Sequence, residues 1–171
     1  TPGGLARIDD LREGDSVQTK DNGAQPIQWI GRRRMSGARL FAMPHLRPVR
    51  IRAGFLGAWQ PNADLVVSPH HRVVIRGAKA QELFNTPEVL VTAKDLIEGD
   101  RVDVDRSLRE VTYVHLLLDR HQVLFANGVE TESFHPASTA FETLDPLDRA
   151  RLLRAHPEME RDPHTYGAYA R

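Results

Sequence analysis

The sequence contains a copy of part of itself. Asp10-Leu11-Arg12-Glu13-Gly14-Asp15-Ser16-Val17 returns as Asp95-Leu96-Ile97-Glu98-Gly99-Asp100-Arg101-Val102, identical at six of eight positions. Thr1-Pro2 and Thr86-Pro87 match at the same offset. Two copies are too few for a solenoid, which needs at least about three units to bury its faces. A pair predicts two related halves packed about a pseudo-two-fold axis.

Each copy carries its own local instruction. Glu-Gly-Asp reads as a turn, since glycine tolerates positive φ and the acidic neighbours bond the nearby backbone. The pattern after each turn is strand-like: Val102-Asp103-Val104-Asp105 alternates apolar and polar residues with period two. Further strands are expected at 27–30, 48–52, 65–67, 72–76, 89–91, 111–118, 123–126 and 129–131. These runs are short, rich in Val and Ile, and separated by Gly, Pro, Asn and Asp. Such spacing predicts an all-β fold, either a sandwich or a closed, barrel-like form.

The last thirty or so residues read differently. Asp145 followed by Pro146 is an N-cap with proline at the first helical position, and Asp148 favours the first turn. Leu147, Ala150, Leu152 and Leu153 supply a modest apolar stripe, and Pro157 is expected to end the helix. The remainder, through His164-Thr165-Tyr166-Gly167-Ala168-Tyr169, reads as an irregular tail.

Composition excludes several classes of function. The 23 basic and 23 acidic residues cancel, which argues against a nucleic-acid partner that must be held by surplus cations. Arg32-Arg33-Arg34 is read, in a neutral chain, as a solvated turn. No cysteine is present, so disulfides, thiolate metal sites and a cysteine nucleophile within these residues are ruled out. No apolar run approaches the roughly 20 residues that span a bilayer, and no membrane partner is expected. At 171 residues the chain can bury a real core.

Chemistry concentrates in Leu65-Val66-Val67-Ser68-Pro69-His70-His71-Arg72-Val73-Val74-Ile75. Two apolar strands flank a polar corner, which holds a hydroxyl and an imidazole three residues apart on rigid supports. Imidazole titrates near 6.5, so the pair can move a proton or stabilise a developing oxyanion at neutral pH. The plainer alternative is a strand–turn–strand corner with an exposed histidine. A second stretch runs from His121 through Asn127-Gly128 to Ser133. Asn-Gly between apolar runs is a strong hairpin signal, and on that reading His121 is a polar residue at a strand edge.

In order along the chain, Leu-x-x-Gly-Asp-x-Val, Gln25-Pro26-Ile27-Gln28-Trp29-Ile30-Gly31, Ser68-Pro69-His70-His71-Arg72 and Phe125-Ala126-Asn127-Gly128-Val129 resemble the Hint domain, the module shared by hedgehog proteins and inteins, and its bacterial group most closely. The resemblance covers residues 1–136 and implies a horseshoe-like all-β fold with pseudo-two-fold halves. Residues 137–171 are then an extension of helix and tail. It further implies self-processing. A cysteine that begins the domain attacks the carbonyl before it, turning an amide into a thioester that water or a small nucleophile resolves. By match to the family's Thr-x-x-His motif, His71 is the proton donor and Ser68 takes the threonine's place beside the scissile peptide. His121 lies within about one residue of the family's late histidine. The substrate is the protein's own preceding segment, and no cofactor is implied. Secretion from a bacterium, as a monomer, is likewise expected from the resemblance alone.

Two departures shape the expectation. The family's cysteine would lie upstream of Thr1, so Thr1-Pro2-Gly3-Gly4 reads as starting in mid-motif. Inteins end in His-Asn before a second nucleophile, where this chain has Glu132-Ser133, so ligation of two ends is disfavoured. No aspartate follows Ile30 of the kind that activates a sterol in hedgehog proteins, which disfavours cholesterol transfer. The competing expectation is a non-catalytic Hint-derived interaction module. A third, a metal site built from His70, His71, His121 and His135, lacks helical His-x-x-x-His spacing and is set aside.

Overall fold

The computed structural model describes residues 1–57, 59–138 and 144–170. Residues 139–143 and 171 of the expected extension lie outside the described residues. The fold is all-β: short strands in several small antiparallel sheets, with a few short helices between them. The strands are β1 (Ser16–Gln18), β2 (Ala24–Pro26), β3 (Trp29–Met35), β4 (Val49–Ile51), β5 (Leu65–Val67), β6 (Arg72–Arg76), β7 (Glu88–Thr92), β8 (Val102–Val104), β9 (Val111–Leu117), β10 (Val123–Ala126) and β11 (Val129–Glu132). β1 pairs with β2 and β3 with β9, while the larger sheets have the orders β5-β4-β8 and β10-β11-β6-β7.

Residue contacts divide the chain into two units. The first comprises 1–33, 112–124 and 133–170, and the second 34–111 and 125–132. Each duplicated segment falls in a different unit, and each takes the same local path. A short 3₁₀ turn (Ile8–Asp10, Ala93–Leu96) leads into an extended residue, a glycine turn and a strand. Gly14 and Gly99 both have positive φ, 92° and 56°, as an Asp or Glu flanked turn of this shape requires. Leu11 and Leu96 are buried at equivalent positions, as are Val17 and Val102.

Each unit has its own core. In the second, Val49, Ile51, Val73, Ile75, Val91, Val102 and Val129 pack together from β4, β6, β7, β8 and β11. In the first, Leu11, Val17, Ile27, Ile30, Leu116 and Leu118 form one cluster. Trp29, Leu117, Phe134, Leu152 and Met159 form another. These Val- and Ile-rich runs form strands because alternate side chains bury while the backbone is satisfied by its neighbour.

Several sequence expectations need correction. Arg32 and Arg34 are exposed, as expected, but Arg32-Arg33-Arg34 lies on a strand, β3, and not in a turn. Arg32 donates to the Leu11 carbonyl (3.0 Å) and Arg34 pairs with Glu110 at 2.5 Å. The alternation after the second copy stops at Val104, because Asp105 turns inward and is only 4% exposed. Two helices went unread, α1 (Gly37–Ala42) and α2 (Ala78–Phe84). The expected helix is present as α3 (Pro146–Ala155), with Asp145 accepting the Leu147 N–H (3.0 Å). Its inward residue is Leu152, while Leu147 is exposed. Beyond Pro157 the chain is not irregular throughout: α4 (Glu158–Arg161) buries Met159, and a 3₁₀ turn spans Pro163–Tyr166.

Candidate functional site

Ser68 and His71 stand at the ends of β5 and β6, strands of two different sheets in the second unit. The turn between them is closed by the His71 N–H, which donates to the Ser68 carbonyl at 3.0 Å. Pro69 is buried, and its carbonyl accepts the Lys94 N–H (2.9 Å). The His71 carbonyl accepts the Ala93 N–H (2.8 Å). The corner is therefore anchored on the 3₁₀ turn that opens the second duplicated segment. One residue on, the Arg72 N–H donates to buried Glu132 at 2.9 Å. Side chains leaving a backbone fixed at so many points have few alternative positions, which is what proton transfer at defined distances demands.

Both candidate side chains are half-buried. The Ser68 hydroxyl makes no hydrogen bond among the described residues, which leaves it available to an incoming oxygen or N–H. His70 is exposed in the turn itself rather than on a strand, so the two neighbouring histidines occupy different environments. Partial desolvation holds the His70 pKa below its usual value, Lys94 and His45 adding to this while Asp95 opposes it.

His121 belongs to the first unit, just before β10. It is not a polar edge residue: it is 3% exposed. Its Nδ1 accepts the Ala170 N–H at 2.9 Å. His135, 1% exposed, lies edge-on to it with ring centroids 5.2 Å apart, and Tyr169 stacks on His135 at 4.0 Å. Sequence reasoning grouped His135 with His121 only in the metal reading it set aside, and singled out neither Tyr166 nor Tyr169 as a partner of His121. The only available signal was the density of rings in 164–169. Ser68 and His71 thus share one corner, and His121 sits in a cluster of rings within the other unit. Among the described residues no three His, Asp or Glu side chains converge as metal ligands.

Glu132 and Ser133, at the positions where inteins carry His-Asn, have structural tasks. The Glu132 carboxylate holds the strand that follows the corner, and the Ser133 hydroxyl oxygen accepts the Gln122 N–H at 2.9 Å. A cleft of about 620 Å³ in the first unit is lined by Asp9, Asp10, Arg12, Glu13, Arg32 and Arg151 among others. It carries both signs of charge, and Arg151 is engaged by Glu13 (3.1 Å) and the Ile30 carbonyl (2.7 Å), so it selects no ligand by charge.

A family model, that of the Hint domain, matches residues 1–138, the span that contains both duplicated turns and the Ser-x-x-His corner. The chain belongs to the Hint family. Hint domains are, in general, self-splicing or autoprocessing domains. The comparison with curated proteins found no match. No helix among the described residues of this Hint chain is long and apolar enough to cross a membrane.

Proposed function

We propose that this Hint chain is the body of an autoprocessing domain that cleaves the peptide bond preceding its own N-terminal nucleophile. A cysteine supplied upstream of Thr1 attacks the carbonyl carbon of the residue before it. As the C–S bond forms the thiol proton passes to the His71 imidazole, and the imidazolium returns it to the departing nitrogen as the C–N bond breaks. Ser68 donates its hydroxyl hydrogen to the carbonyl oxygen as that oxygen gains negative charge. Water or another small nucleophile then attacks the thioester, releasing an acid or acyl product and restoring the thiol. His121 assists the proton traffic. The carried-over Glu132-Ser133 pair cannot form the cyclic imide of splicing, so cleavage without ligation is the outcome.

The observation that supports this reading is the Ser68–His71 corner: a half-buried imidazole and a hydroxyl unbonded among the described residues, on a backbone held by Ala93, Lys94 and Glu132. The test is a protein extended upstream to include the natural preceding segment and its cysteine. Hydroxylamine should release that segment, His71→Ala should abolish release, and His70→Ala should leave it in place. A precursor that stays intact in hydroxylamine would overturn the proposal. A second reading, a non-catalytic interaction module, draws on the burial of His121 and predicts that intact precursor.

A further inference from the structure

We propose that residues 162–170 form a strap that holds His121 out of action, an autoinhibitory contact that must lift before this imidazole takes part in processing. The inference rests on the autoprocessing reading for its consequence, but the strap itself is defined by geometry within the first unit.

The strap is built from short-range bonds and docks on two imidazoles. Asp162 accepts the His164 N–H (2.9 Å), and Thr165 donates its hydroxyl to the Asp162 carbonyl (2.8 Å), which shapes the 3₁₀ turn. The Tyr166 hydroxyl donates to the Leu118 carbonyl (3.0 Å). Gly167, with φ of 108°, turns the chain back toward the histidines. The His135 Nδ1 accepts the Ala137 N–H (3.1 Å), so in the neutral ring the proton sits on Nε2 and is donated to the Gly167 carbonyl (2.9 Å). Tyr169 then stacks on His135 and meets His121 edge-on at 5.4 Å, and the Ala170 N–H takes the His121 Nδ1.

The two sides of this contact differ in how firmly they are held. His121 and His135 are almost fully buried, while none of residues 162–170 is. The last anchor on the strap side is Tyr166, half-buried against the Trp29–Met159 core, and Gly167, Ala168 and Tyr169 beyond it are exposed. A segment that covers a buried group while burying little of itself is drawn from the low-stability end of a fold and opens without unfolding the rest. With the strap down, one ring nitrogen of His121 is bonded and the ring face is covered, so a scissile peptide has no route to it. With the strap up, the same imidazole is exposed, and its Nδ1 is released.

Two full-chain variants test this. Ala170→Pro removes the N–H that bonds His121, and Tyr169→Ala removes the covering ring. Reaction of His121 with diethylpyrocarbonate, mapped by peptide mass and scaled to the exposed His45, should rise ~10-fold in both, as expected for a local opening made more frequent. In the upstream-extended protein the same variants should speed hydroxylamine cleavage. Unchanged protection of His121 overturns the strap as its cover. Faster modification with unchanged or slower cleavage overturns its inhibitory role. If no version cleaves, the wild type included, the autoprocessing reading fails and inhibition fails with it. The modification rate then decides separately whether the strap is the cover.

Discussion

The backbone N–H of Arg72 donates to the Glu132 carboxylate at 2.9 Å, with Glu132 only 7% exposed. This bond joins the strand that begins just after His71 to the end of β11, and the Arg72 guanidinium lies 3.6 Å from the other carboxylate oxygen. A buried charge is tolerated where its hydrogen bonds are made. Glu132→Ala should therefore cost about 2–3 kcal/mol, since it leaves the Arg72 N–H buried without its acceptor. Glu132→Gln keeps an oxygen in place and should lose less than half as much. Urea unfolding of the two variants checks the difference, and equal losses would show that the bond does not matter.

Gly31 lies against the ring of Trp29. A Cβ there would stand 2.8 Å from Cζ2 and closer still to Cη2. Trp29 is 3% exposed, donates its Nε1–H to the Asp148 carbonyl (3.2 Å) and packs on Phe134, so the ring has nowhere to move. Gly31→Ala should destabilise the protein by about 1–3 kcal/mol through overpacking. In a Trp59→Phe background, Trp29 fluorescence and its thermal transition report the effect directly. An unchanged midpoint would refute it.

Asp105 should make the fold acid-sensitive. Burial pushes its pKa up, but hydrogen bonds outweigh this and hold it down to about 2. They come from the Ser107 hydroxyl (2.6 Å) and N–H (2.8 Å), Arg50 Nε (2.8 Å) and the Leu108 N–H (3.2 Å). The folded value lies below the unfolded value of 3.8, so the stabilisation is complete above pH 3.8 and lost as pH falls toward 2. The loss is about 2 kcal/mol. Urea midpoints between pH 5 and pH 2 should fall in the wild type, with a shallower fall in Asp105→Asn.

His70 should titrate in the opposite sense to a paired histidine. Desolvation and Lys94 lower its pKa below 6.5, so its neutral form is the one the fold prefers. Stability is full above 6.5 and declines as pH falls through the lower folded value. NMR titration of the His70 ring should give a value below 6.5, and Lys94→Met should raise it. A value above 6.5 would contradict the arrangement of Lys94 and Asp95 around the ring.

Much of the fold was legible because it is written in local signals. β5, β6 and β10 have the expected limits, since short Val-rich runs bounded by turn residues specify strands over a few positions. Asn127, at φ of 49°, and Gly128, at 77°, supply the hairpin turn that their side chains predict. The helices α1 and α2 were not legible, because six and seven residues are too few to display a helical period. Ser36 capping Arg39 and Asn85 in the left-handed conformation mark their ends only in retrospect.

The sequence by itself determined the repeated turns, the strand runs and the Ser68–His71 corner, because each depends on neighbours a few residues apart. Tertiary structure alone decided that Leu152 rather than Leu147 faces inward, that three arginines run along a strand, and that His121 is buried. Those outcomes depend on bonds such as Trp29 to Asp148, 119 residues apart, and Ala170 to His121, 49 apart. Burial is a property of what packs against a side chain, and no local pattern carries the identity of so distant a partner.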